Sequence, residues 1–209
     1  LTSEWDAYKW GPLTCAPSLT DSNGYFYPRQ KNWSDPDATD AFWNAKPDMA
    51  EVEQELRAQI EMAMTHIPQV SHVTGHMGIA SPGVSQKMTD LVEHLAREYG
   101  LYIDLDAHDV QSTGPYFPDS QAAGSESMTA EQRFIHMLRQ LKPGTYLYVE
   151  HPGMDAPEMQ AIGHTGNEDV AVKRAEVTRV FTSDQVKSVI QERKIQLISY
   201  ADLVSGKVK

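Results

Sequence analysis

Apolar positions along this chain recur at two spacings, and the switches between them mark out its elements. From Asp48 onward, Met49, Val52, Leu56, Ile60 and Met64 stand three and four residues apart, which places them on one face of a helix. Asp48, directly after Pro47, is suited to cap its start. Residues 69–74 alternate instead, so that Val70, His72 and Thr74 share one face of a predicted strand. After a loop over 75–83 the helical spacing returns and stops at Gly100. Residues 101–106 (LYIDLD) read as the next strand, followed by a loop through Pro115, Pro118 and Gly124. A third helix is predicted over 128–141, ended by Lys142-Pro143-Gly144. The strand 145–150 (TYLYVE) and the loop HPGMDAPEM come next, then a helix over 183–194 capped by Ser183 and a last strand over 195–200 (IQLISY).

Helices alternating with strands in this way predict βα units on a parallel sheet. The expectation is an α/β fold in a single domain, residues 1–209. Neither a GxGxxG turn nor a Walker loop favours a nucleotide fold over a barrel. A closed (β/α) barrel takes about 250 residues, and the four strands counted here leave the chain short of one at its front. Residues 1–47 have little periodicity and are rich in Pro, Gly, Asp, Asn and aromatics. Asn23-Gly24 predicts a tight turn or hairpin there. A loop of this length is either functional or a surface excursion covered by its own aromatic rings.

Charge removes one class of partner. The net charge is −11, and the 18 Lys and Arg are scattered, whereas a nucleic-acid binder needs a basic stripe. The lone Cys15 excludes an intramolecular disulfide and a cysteine metal cluster. No apolar run approaches the roughly 18–20 residues that span a membrane. Cytoplasmic and exported locations both stay open, as does a homodimer.

In α/β folds the active site lies at the C-terminal ends of the strands. Imidazoles follow three of the predicted strands: His76, His108 (with Asp109) and His151. His72 and His76 flank Gly75, so a strand-end imidazole and a loop imidazole have the chance to meet one ion, and neutral imidazole suits Zn, Ni, Fe or Co. Two polar residues at a turn would look the same. The Pro152-Gly153 pair holds His151 extended at a turn, where it suits a general acid or an ordinary polar turn. Arg174 and Glu176 are read as lying just before the last helix, with Arg174 either anchoring a substrate oxygen or sitting on a solvated face.

Eight short motifs, LTSEW, WGPL, NGYFYP, ELRAQIEMA, SHVTGHMG, YVEHPG, RAEVTRVFTSDQV and IQLISYADL, stand in the order found in the YdjC-like carbohydrate deacetylases, and the chain resembles that family along nearly its whole length. The resemblance implies a seven-stranded, TIM-like (β/α) barrel. It implies a hydrolase that removes N-acetyl groups from amino sugars or chitooligosaccharide-like substrates. It also implies a divalent metal (Mg, Zn, Ni or Co) held by one Asp and two His, with a second Asp as base. Matched position by position, the usual metal-ligating histidine is His76, and His72 is a supporting member of the metal site. The acid falls on His151 and the family arginine on Arg174, followed by Glu176. Thr74 stands where the family has Asp, which weakens the orientation of the imidazole. The family's opening Asp pair and the histidine of its GxHLTLT strand have no counterpart, since LTSEW begins just after that histidine and Asp6 follows it. The expectation is therefore that an N-terminal segment with those groups lies outside the sequence, because a barrel lacking it would expose sheet edges.

On this reading the ion polarises the acetyl carbonyl and lowers the pKa of its water, and His151 protonates the leaving amine. Trp5, Tyr8, Trp10, Tyr25 and Tyr27 would stack on sugar faces or fill the core of their own loop. Two alternatives stand beside it: a carbohydrate-binding barrel that has lost its metal, for which Thr74 speaks, and an ester or phosphoryl hydrolase on the same barrel.

Overall fold

The computed structural model describes residues 1–206 except 6–7, 33, 36, 82, 114–127 and 164–165. The predicted loop through Pro115, Pro118 and Gly124 lies outside the described residues, as does Asp6. The chain divides into two compact units, Leu1–Ile103 and Asp104–Lys209.

In the first unit the aperiodic segment 1–47 is a packed layer. It contributes Leu1, Ala16, Leu19, Phe26 and Phe42 to a core completed by Val52, Ile79 and Met88. The predicted turn at Asn23-Gly24 is present. Gly24 takes φ +80, open to glycine without a Cβ penalty, and Thr20 and Phe26 form an antiparallel bridge. The Asp21 carboxylate stabilises it by accepting the amides of Asn23 at 2.9 Å and Tyr25 at 3.2 Å.

The helix α1 (Met49–His66) starts where expected, with the Asp48 carboxylate accepting the Ala50 amide at 2.8 Å. Its fully buried residues are Val52 and, unexpectedly, Glu55. Glu55 has 0% of its surface exposed. Such a charge is tolerable only when its oxygens are bonded: it accepts Leu13 N at 3.1 Å, Thr14 N at 3.0 Å, Thr14 Oγ1 at 2.7 Å and Gln59 Nε2 at 2.7 Å. The early loop is thereby fastened to α1. The helix α2 (Gln86–Glu98) begins under the Ser85 cap, and Gly100 takes φ +71 just beyond it.

The second unit contains a parallel pair of strands, β1 (Val110–Ser112) and β2 (Thr145–Leu147), in the register Val110↔Thr145 and Ser112↔Leu147. The helix α3 (Ala130–Gln140) opens on a capping box of Thr129 and Gln132. After β2 come α4 (Pro157–Gln160), α5 (Val170–Thr182), α6 (Asp184–Glu192) and α7 (Tyr200–Val204). Ala130, Phe134, Met137, Leu138, Val180, Val186 and Val189, from α3, α5 and α6, form the core. Phe134 of this core, Tyr148 packed against it and the exposed Phe181 pair their rings at centroid distances of 5.1 to 5.8 Å, inside the range for favourable ring pairs.

Four sequence expectations need correction. Residues 69–74 and 101–104 carry no ladder pairing among the described residues. Alternation gives a segment an extended preference, but the ladder itself comes from a neighbouring strand. The strand beside β2 is 110–112, because residues 105–109 form a turn closed by the Val110 amide on the Leu105 carbonyl at 3.1 Å. In place of a full strand over 195–200, Ser199 caps α7 in a capping box with Asp202. Arg174 and Glu176 lie within α5, not ahead of the last helix. That helix escapes notice because Val170, Val172, Val177, Thr178, Val180 and Thr182 are β-branched and weak helix formers. Burial of Val170, Val177 and Val180 overrides the preference. The described residues show α/β architecture; the seven-stranded barrel goes beyond them.

Candidate functional site

His76 opens a single 3-10 turn, His76–Gly78, right after Gly75. Met77 (φ 54) and Gly78 (φ 69) reverse the chain there. The turn is held from three sides. Gln30 Nε2 donates to the Met77 carbonyl, Thr2 Oγ1 approaches Met77 Sδ at 3.4 Å, and Ile79 is buried in the core. A Cβ on Gly75 would be crowded, at 3.1 Å from Ala80.

The LTSEW segment brings a carboxylate to this turn. Ser3 is fully buried; its amide donates to the Tyr27 carbonyl at 2.9 Å and its hydroxyl to the Phe26 carbonyl at 3.0 Å. The next residue, Glu4, sits at φ 64 with its Oε2 3.8 Å from His76 Nε2. The Trp10 ring lies 6.1 Å from the imidazole. Sequence reasoning missed Glu4 as a chemical group; its place inside the LTSEW motif was the available signal. His72 is half-buried, with Nδ1 3.2 Å from Ser71 Oγ, and burial holds its pKa below the ordinary value.

An imidazole and a carboxylate are suitable donors for a divalent cation, but catalytic sites of this type rest on three protein ligands. Among the described residues no group of three or more His, Cys, Asp or Glu side chains is placed to hold a metal ion. His72, His76 and Glu4 therefore do not converge as a ligand triad, and the described residues do not by themselves fit the metal that the family resemblance implies.

Of the aromatic loop residues, Trp5 is buried, Tyr27 is half-buried, and Tyr8, Trp10 and Tyr25 are exposed.

In the second unit His151 follows the strand β2 and is exposed. The turn it belongs to is seated on α5. The Gly153 amide donates to the Arg174 carbonyl at 3.1 Å, and Thr178 Oγ1 donates to the Gly153 carbonyl at 2.6 Å. The same hydroxyl lies 3.2 Å from the Arg174 carbonyl. A Cβ on Gly153 would stand 3.0 Å from both Arg174 Cβ and Met159 Cε. Two motifs separated in sequence, HPG and RAEVT, thus form one backbone junction, with Arg174 half-buried beside it. The sequence singles out Gly153 with Pro152 but not Thr178, whose hydroxyl holds the turn. His108 and Asp109 lie ahead of β1, at the opposite end of the parallel pair from His151, so they do not join it at one sheet edge.

Comparison with known proteins bears on what these groups belong to. A family model described as "YdjC-like protein" matches residues 1–192. The chain belongs to the YdjC-like family. One relative is a carbohydrate deacetylase from Thermus thermophilus, 29% identical, with the match covering 78% of this chain and 62% of that protein. The YdjC-like chain thus spans about 62% of the length of that curated relative. A crystal structure from Enterococcus faecalis V583, of a protein proposed for cellobiose-phosphate cleavage, superposes with a TM-score of 0.64 at 21% identity, covering 92% of this chain and 72% of the other. That likeness supports the α/β fold.

Proposed function

We propose that this YdjC-like chain acts as a metal-dependent carbohydrate deacetylase, hydrolysing the N-acetyl group of an amino sugar or a chitooligosaccharide-like substrate on a seven-stranded (β/α) barrel. The observation that carries the reading is the similarity to the Thermus carbohydrate deacetylase within a family match over residues 1–192. The His76–Glu4 pair and the seated His-Pro-Gly turn are consistent with it.

The chemistry required is attack of water on the acetyl carbon, cleavage of the C–N bond and protonation of the departing nitrogen. His151 suits the last step. It is exposed, and its turn is immobilised by two hydrogen bonds to α5, so the imidazole has a fixed origin while it approaches substrate. A divalent cation, when bound, supplies Lewis-acid polarisation of the carbonyl. His76 is the residue proposed to contribute to its binding, with His72 in support. Arg174, half-buried beside the turn, is proposed to orient the acid or a substrate oxygen.

Purified intact protein should release acetate from N-acetylglucosamine oligomers, lose that activity to a chelator and regain it with Zn, Ni, Co or Mg. His76→Ala should lower the bound metal per chain. Sugar binding without acetate release or bound metal would instead establish the second reading, a non-catalytic carbohydrate-binding barrel. Thr74, in place of the family Asp, favours that alternative.

A further inference from the structure

Asn23 is the one asparagine of this chain that precedes a glycine; Asn32, Asn44 and Asn167 stand before Trp33, Ala45 and Glu168. That neighbour matters chemically. The carboxamide carbon of an asparagine, Cγ, is open to attack by the backbone nitrogen of the next residue, and a side chain on that residue obstructs the approach. Gly24 offers no obstruction, and a Cβ built on it would meet no atom within 4 Å.

The turn is open to solvent but held along its backbone. Ser22, Asn23 and Gly24 are exposed. The Gly24 amide donates to the Asp21 carbonyl at 3.0 Å, and the Asp21 carboxylate accepts the Asn23 amide at 2.9 Å and the Tyr25 amide at 3.2 Å. Before it can attack, the Gly24 nitrogen must leave the Asp21 carbonyl and lose its proton. The neighbouring carboxylate opposes that loss, because it disfavours a second negative charge. Giving up one hydrogen bond of this kind lowers the reactive population by a factor of about five.

We propose that Asn23-Gly24 is a site of spontaneous covalent modification, converting to aspartate and isoaspartate through a cyclic imide, and that the Asp21 turn slows the conversion in the folded chain. In the first step a bond forms between Gly24 N and Asn23 Cγ. The Cγ–Nδ2 bond breaks, and that nitrogen leaves as ammonia, gaining through solvent the proton that Gly24 N gives up. In the second step water adds to one of the two imide carbonyls. Breaking the new N–Cγ bond leaves aspartate, and breaking the original peptide bond leaves isoaspartate. Nothing is oxidised or reduced. The conversion needs no enzyme and no substrate, so it is independent of the deacetylase reading.

Isoaspartate lengthens the backbone by one atom, inside a turn whose flanks are bridged at Thr20 and Phe26. Phe26 is a support of the early loop: its amide donates to the Trp10 carbonyl at 3.0 Å, and its carbonyl accepts the Ser3 hydroxyl at 3.0 Å, one residue before Glu4. The conversion therefore loosens the segment that brings Glu4 to the His76 turn.

The test is to age the intact protein at mildly alkaline pH, below its melting transition, and to map its peptides by mass spectrometry. Exchange of NH2 for OH should accumulate at Asn23 ahead of Asn32, Asn44 and Asn167, with backbone fragmentation resolving two products. The chain unfolded in guanidinium chloride should convert about fivefold faster or more. Asp21→Ala, checked for native circular dichroism and melting, should convert faster than the folded parent, and Asn23→Gln should abolish the change at this peptide. Aged protein should melt below fresh protein. An Asn23 that stays as intact as the other three asparagines in the unfolded chain overturns the site. Equal rates in the folded and unfolded chain, or no acceleration in folded Asp21→Ala, overturn its control by the turn.

Discussion

Replacing Gly153 with alanine places a methyl group where α5 leaves no room for one. The added Cβ would stand 3.0 Å from Arg174 Cβ and 3.0 Å from Met159 Cε, against an optimum of about 3.5–4.0 Å for carbon pairs. Met159 Cε is the end of a flexible side chain and can swing away. Arg174 Cβ is fixed to the α5 backbone and cannot. The turn must give by a few tenths of an ångström. That movement stretches the Gly153–Arg174 bond at 3.1 Å and the Thr178–Gly153 bond at 2.6 Å. Overpacking costs about 1–3 kcal/mol, and each weakened hydrogen bond adds up to about 0.5–1.5 kcal/mol, so a loss of about 2–4 kcal/mol is expected. Urea unfolding followed by circular dichroism measures it. With an m-value of about 1–3 kcal/mol/M, the midpoint should fall by roughly 1 M or more. Gly83→Ala is the matched control, since its Cβ would meet open space, and it should stay within about 0.5 kcal/mol of the parent. Turnover should fall in Gly153→Ala through displacement of His151. A Gly153→Ala protein as stable and as active as the Gly83→Ala control would refute the seating of the turn on α5.

The hydroxyl of Thr178 is tested by a pair of variants: Thr178→Val should lose about 1 kcal/mol of stability in urea unfolding and lower acetate release, while Thr178→Ser should restore both. Glu55→Ala strips four hydrogen bonds from a fully buried carboxylate and leaves the Leu13 and Thr14 amides unpaired, so denaturant unfolding should show a loss of about 3–5 kcal/mol, with Glu55→Gln losing less. Burial pushes the Asp21 carboxyl up, but the hydrogen bond from Lys9 and the amides of Tyr25 and Asn23 outweigh it and hold the pKa below the ordinary 3.8. A depressed folded-state pKa contributes stability that is present above the unfolded value and lost as pH falls through the folded one. Lys9→Met should therefore melt below the parent at pH 6, and the gap should close as the pH drops below about 4.

How much of this was legible beforehand depends on the range of the interactions involved. The starts of α1 and α3, the Ser183 cap of α6, the stop at Gly100 and the turn at Gly24 were all readable from the chain. Each rests on hydrogen bonds or dihedral freedom within a few residues. The helix α5 was not, because its β-branched residues argue locally against a helix and only burial against α3 and α6 reverses that preference. The strand pairing was misplaced for the same reason: the alternation of 101–106 is local, whereas the partnership of 110–112 with 145–147 spans more than thirty residues. Within the candidate site, the residue types His76, His151 and Arg174 could be named from motifs. That Glu4 faces His76 and that Gly153 is pinned between Arg174 and Thr178 followed only from tertiary structure. Local sequence thus set the caps, the turns and the identity of the reactive groups. Long-range packing decided which of those groups meet, because contacts between distant residues depend on how the whole chain buries its apolar surface and not on neighbouring side chains.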